Sequence, residues 1–145
     1  DWARHFFLSA GIVQVVPDGV SGGAGLLKEQ LDANAGGTGF SFADLLMDAA
    51  GTRFGLVATS DAERARWMQI RLAAGIREDD LVPRDAGLPE GLSAAQLEAE
   101  FGGVGGEGFR AVEVEIARRV DELPLYRIQL PETAGDARLP SGTLP

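Results

Sequence analysis

The sequence contains no cysteine, a single histidine and a single lysine, Lys28. Without cysteine there is no disulfide framework, no thiolate nucleophile and no cysteine-ligated zinc or iron–sulfur centre. With one imidazole, any metal or acid–base site must be built mostly from carboxylates. Basic charge is also short. Thirteen Lys and Arg face 22 Asp and Glu, a net charge of −9, which argues against nucleic acid or an anionic membrane as the main partner. The longest uncharged apolar stretch, Phe6–Val16, falls well below the roughly 18–20 residues that span a bilayer. The basic start and small-residue cleavage site of a secretory signal are missing from the chain as it begins at Asp1. No segment alternates strictly with period two, so strands are not expected.

What is present reads as helix. At 45% hydrophobic and 24% charged, the 145 residues have the composition of one globular domain with a real core. Trp2–Val16 is apolar on nearly every side, as a buried helix is, and Pro17-Asp18-Gly19 stops it. A second helix is expected from Val20 or Ser21 to about Ala33. Ser41, with Asp44 three residues on, carries the capping-box pattern that opens a third helix, Phe42–Val57. Ser60 or Asp61 caps a fourth to about Ala74, with Trp67, Ile70 and Ala74 inward and Arg64, Arg66 and Arg71 toward water. Residues 75–91 read as a loop. Ser93 and Gln96 open a short helix to Phe101, and Gly102–Gly108 leads into a last helix ending near Glu122. The fold class is therefore all-α, a bundle of five or six helices over residues 1–123. Residues 1–59 hold few charges and read as core, and 60–123 read as amphipathic cover. Four of the seven prolines fall in residues 124–145, an extended tail suited to docking on the body or on a partner.

One constellation carries possible chemistry: His5, Lys28, Glu29, Asp32, Asp44 and Asp48. Glu29 and Asp32 share a helix face, as do Asp44 and Asp48, four residues apart. If the first three helices run up, down and up, these faces converge near His5. His5, Glu29, Asp32 and Asp48 are then the candidate catalytic residues. Glu29, Asp32, Asp44 and Asp48 would be oxygen ligands suited to Mg²⁺, Mn²⁺ or Ca²⁺. The competing reading is structural. Asp44 caps a helix, Lys28 and Asp32 form a surface pair, and Lys28, Arg53 and Asp48 make a polar network needing no cofactor. Asp48 sits among Leu45, Leu46, Met47, Ala49 and Ala50, where an unpaired carboxylate is costly, so it requires a partner: Arg53, Lys28 or His5. Ser9 lies one turn after His5, but no nucleophile-elbow sequence or second histidine supports serine catalysis.

Two glycine-rich segments are weighed against phosphate binding. GVGGEG at 103–108 follows a helix rather than a strand and lacks a βαβ setting. GGTGFS at 36–41 precedes a helix N-terminus, where backbone N–H groups could hold an anion, but Asp44 competes for that dipole. Trp2, Phe6, Phe7, Phe40, Phe42 and Phe54 read as core.

His5, Lys28-Glu29-x-x-Asp32 and the run from Gly36 to Phe54 together resemble small bacterial envelope proteins and lipoproteins of uncharacterised function, and more distantly the VanZ-like membrane family. The resemblance covers about the first 55 residues. It implies a periplasmic or envelope location and assigns no activity. Because the chain has no lipid-accepting cysteine, an anchor would have to come from residues outside it. The expectation is a non-enzymatic helical envelope protein with a protein partner docked by its tail. The alternative is a small hydrolase or metal-dependent enzyme using the His/carboxylate cluster.

Overall fold

A computed structural model describes residues 2–14 and 39–126. The helix expected near 20–33, with Lys28, Glu29 and Asp32, and the tail from 127 onward lie outside the described residues. Within them the chain is all-helical: α1 (Trp2–Ile12), α2 (Phe42–Thr59), α3 (Ala62–Ala73), α4 (Glu78–Leu81), α5 (Ala94–Phe101) and α6 (Glu107–Asp121). Among the described residues the one ladder-type pairing is an antiparallel bridge, Phe40 to Leu92.

Capping chemistry sets most boundaries. The Ser41 hydroxyl accepts from Asp44 N at 3.1 Å and starts α2, and Asp61 accepts from Arg64 N at 2.8 Å and starts α3. At α5 the full box is present, with Ser93 Oγ accepting from Gln96 N and Gln96 Oε1 from Ser93 N. Gly102 closes α5 in the left-handed region at φ +74°, which glycine adopts without strain. The acidic trio expected in a loop forms a single helical turn, α4, because Asp80 reaches back to accept from Arg77 N at 2.9 Å.

The core lies between the first half of α2 and the helices α5 and α6. Phe42 stands at its centre, with ring centroids 5.0 Å from Phe101 and 5.3 Å from Phe109, and Phe40 packs edge-on at 4.9 Å. Leu46, Met47, Leu92, Leu97, Ile116 and Val120 complete it. The later amphipathic helices thus supply much of the core as well as its cover. Paired hydrogen bonds between Phe40 and Leu92, with Phe42 N donating to Pro89 O, fasten the start of α2 to the strand-like segment before α5.

Two packing expectations are corrected. The all-round apolarity of α1 predicts burial on every side, but only Phe6 and Ser9 are buried, and Phe7 is 68% exposed. Among the described residues α1 packs against α2, and one neighbour covers one stripe of a helix. Trp2 and Phe7 therefore leave the expected aromatic core, while Phe6, Phe40 and Phe42 stay in it. On α3 the buried position is Met68, flanked at helical spacing by half-buried Ala65 and Arg71, and Ile70 is 41% exposed. Periodicity identifies an apolar stripe but not which edge meets the neighbour, and the aliphatic stem of an arginine can line that edge.

Candidate functional site

The polar cluster forms where α1 crosses α2. Gly51 and Gly55, one turn apart on α2, leave no side chain between the two backbones. A Cβ at Gly51 would stand 2.8 Å from the Phe6 carbonyl carbon, and one at Gly55 would stand 2.6 Å from the Ala10 carbonyl oxygen. Contacts advance in the same direction along both helices, from His5 at Asp44 and Asp48 to Gln14, whose Nε2 donates to Gly55 O at 3.2 Å. The pair is therefore parallel.

That close approach lays His5 and Ser9, one turn apart on α1, over Asp44 and Asp48, one turn apart on α2. Ser9 Oγ donates to Asp48 Oδ1 at 2.7 Å, and His5 Nδ1 lies 3.2 Å from the same oxygen. An ionised carboxylate only accepts, so Nδ1 is then the protonated nitrogen and Nε2 points outward. Nε2 stands 3.7 Å from Asp44 Oδ2, too far for a hydrogen bond and within ion-pair reach. Ser9 is 3% exposed, the Asp48 side chain 14% and the Asp44 side chain 42%, so the cluster runs from a closed interior to an open edge. Burial pushes the Asp48 carboxyl above its ordinary value, and the bonds from Ser9 and His5 only partly oppose the shift.

Of the three partners expected for Asp48, the described residues supply His5. Arg53 does not join the network. Its guanidinium points across α2 to Asp121 at 3.4 Å and lies 5.5 Å above the Tyr126 ring. The reason is phase, since five residues of helix carry a side chain past the face that Asp48 occupies. Lys28, Glu29 and Asp32 lie outside the described residues. Of the four expected metal ligands, Asp44 and Asp48 sit on either side of the imidazole, and no set of three His, Asp or Glu side chains among the described residues is arranged to hold an ion. Sequence reasoning weighs Ser9 only as a nucleophile and misses its bond to Asp48. Its one signal is the four-residue spacing from His5, which by itself suggests only serine catalysis. The hydroxyl donates to Asp48 rather than to the imidazole, so no proton relay activates it.

Where they are described, the glycine-rich segments serve as a turn and a helix cap. The GVGGEG run makes the tight turn between α5 and α6, where a Cβ on Gly108 would stand 2.9 Å from Phe101 Cα. In the described part of GGTGFS, Gly39 adopts φ +89° against the Gly91 backbone and Ser41 serves as the α2 cap. Elsewhere on the molecule a groove of about 440 Å³ is lined by Arg84, Arg118 and Arg119 with Asp79, Glu115 and Glu122. Glu115 binds both Arg118 and Arg119 at 2.8 Å, and Arg119 also donates to the Arg84 and Ala86 carbonyls. Those two guanidiniums are already held within the fold. Paired with them, Glu115 titrates at about 2.

Compared with models of protein families, with curated proteins and with solved structures, the chain finds no match.

Proposed function

We propose that this chain is a non-enzymatic helical protein of the bacterial cell envelope that acts by binding a protein partner. The observation that carries the non-enzymatic part is the double use of Asp48 Oδ1. One buried oxygen accepts from Ser9 and faces His5 Nδ1, so the hydroxyl and the inner imidazole nitrogen work to join α1 to α2. The envelope assignment rests on the resemblance of residues 5–54. The partner contact is assigned to the Pro-rich tail. Its first residues pack on the body, with Leu125 fully buried and Tyr126 under Arg53, which gives the tail a fixed point of departure. None of the described helices is long and apolar enough to cross a membrane.

The test has two arms. The purified chain is assayed on ester, phosphoester, glycoside and peptide substrates beside Asp48→Asn, and turnover that disappears in the variant would overturn the reading. A photoreactive residue at Leu130 is then irradiated in cells, with Glu113 on the solvated face of α6 as control. The expected result is one discrete protein adduct from position 130 and none from 113.

A further inference from the structure

Among the described residues, one edge of the α1–α2 crossing sets the outer nitrogen of His5 beside the Asp44 carboxyl. His5 presents Nε2 outward, because Nδ1 is held at Asp48, and Asp44 presents Oδ2 toward it from the first turn of α2. We propose that His5 Nε2 and Asp44 Oδ2 together bind a divalent transition-metal ion of the zinc class, with Asp48 holding the imidazole in place from behind.

Two observations converge on this. The first is distance. Nε2 and Oδ2 lie 3.7 Å apart, and an ion at about 2.1 Å from each would bridge them at an angle of about 125°, somewhat open of tetrahedral. The second is orientation. A carboxylate on the far nitrogen fixes the tautomer and raises the basicity of the ligating one, the usual support for a metal-bound histidine.

An imidazole in the ligand set favours zinc-class ions over the hard cations that an all-carboxylate set would take. The described residues supply two side-chain ligands to this ion. The site goes beyond the reading as a non-enzymatic binding protein and does not depend on it.

Because the chain has one histidine, its ring resonances report the site without ambiguity. The full chain is titrated with zinc chloride at neutral pH, followed by His5 ring signals and by calorimetry, with magnesium chloride as the comparison. The expected result is one zinc per chain with movement of the His5 ring signals. Affinity should fall at least about tenfold in Asp44→Asn and His5→Gln, and about tenfold in Asp48→Asn. Asp44 is half exposed, so Asp44→Asn reports on the site even if His5→Gln fails to fold, which circular dichroism shows. Ring signals unmoved by millimolar zinc, Asp44→Asn binding zinc as tightly as the parent, or magnesium acting as well as zinc would each overturn the proposal.

Discussion

Replacing Gly51 by alanine tests the crossing on which the whole site depends. The new methyl would stand 2.8 Å and 2.9 Å from the Phe6 carbonyl carbon and Cα, where ordinary contact begins at 3.4 Å. Those are backbone atoms and cannot swing aside, so α1 must move outward by roughly an ångström or detach, at about 1–3 kcal/mol and more if packing is lost. The same movement lengthens the bonds of Ser9 and His5 to Asp48, adding about 1 kcal/mol for each that fails. Against this, alanine improves helix propensity by about 1 kcal/mol over glycine. The balance is a loss of about 2 kcal/mol, or roughly 4–8 °C in Tm for a domain of this size. Gly11→Ala is the matched control. Nothing lies within 4 Å of its would-be Cβ, so only the propensity gain remains, about 0.5 kcal/mol near a helix end. Thermal unfolding by circular dichroism should therefore give shifts of opposite sign for one and the same chemical change. A Gly51→Ala protein as stable as the parent would refute the close parallel crossing, and with it the placement of His5 over Asp44 and Asp48.

Other outcomes rest on the same geometry. Asp48→Ala strips the acceptor from a buried hydroxyl and an imidazole and should cost about 2–4 kcal/mol. Glu113→Ala, on a solvated face, should stay within about 0.5 kcal/mol, so equal urea midpoints for the two would show the Asp48 burial to be wrong. Phe6→Ala should cost about 3–5 kcal/mol in the same assay and its neighbour Phe7→Ala about 0.5 or less, and comparable losses would contradict the one-sided packing of α1. Two carboxyls should have midpoints displaced in opposite directions from their ordinary values, read by carboxyl ¹³C shifts. Asp48 is raised above 3.8, so the fold favours its protonated form. Its stabilising contribution is full below the unfolded value and disappears as pH rises through the folded one. Glu115 is lowered to about 2, so its contribution is present above 4.5 and is lost as pH falls toward 2. An Asp48 midpoint at or below 3.8 would remove the burial argument.

Much of the architecture was legible because it depends on neighbours in sequence. Ser41, Asp61 and Ser93 announce helix starts because an N-cap satisfies N–H groups two or three residues away. Boundaries at α2, α3, α5 and α6 accordingly fall within two residues of the expected ones. The demand that Asp48 find a partner was also local, since it followed from the apolar residues around it in its own helix. Which partner answered was not. Arg53 was the nearest cation in the chain, yet helical phase turns it to Asp121, and His5, 43 residues away, comes into range across the glycine seam. Ser9 was weighed only as a nucleophile for a similar reason, because a hydroxyl one turn from a histidine has meaning only when the element opposite is known.

The same division separates what each level determined for this protein. Sequence alone established the helical class, the caps, the lack of cysteine and the presence of a single histidine. All of these are properties of single residues or of spacings within one helix. The tertiary structure decided which stripe of α1 is buried, which edge of α3 faces inward and which nitrogen of His5 points outward. Those depend on how closely two helices approach, and here that distance is set by two glycines whose effect appears only against another backbone.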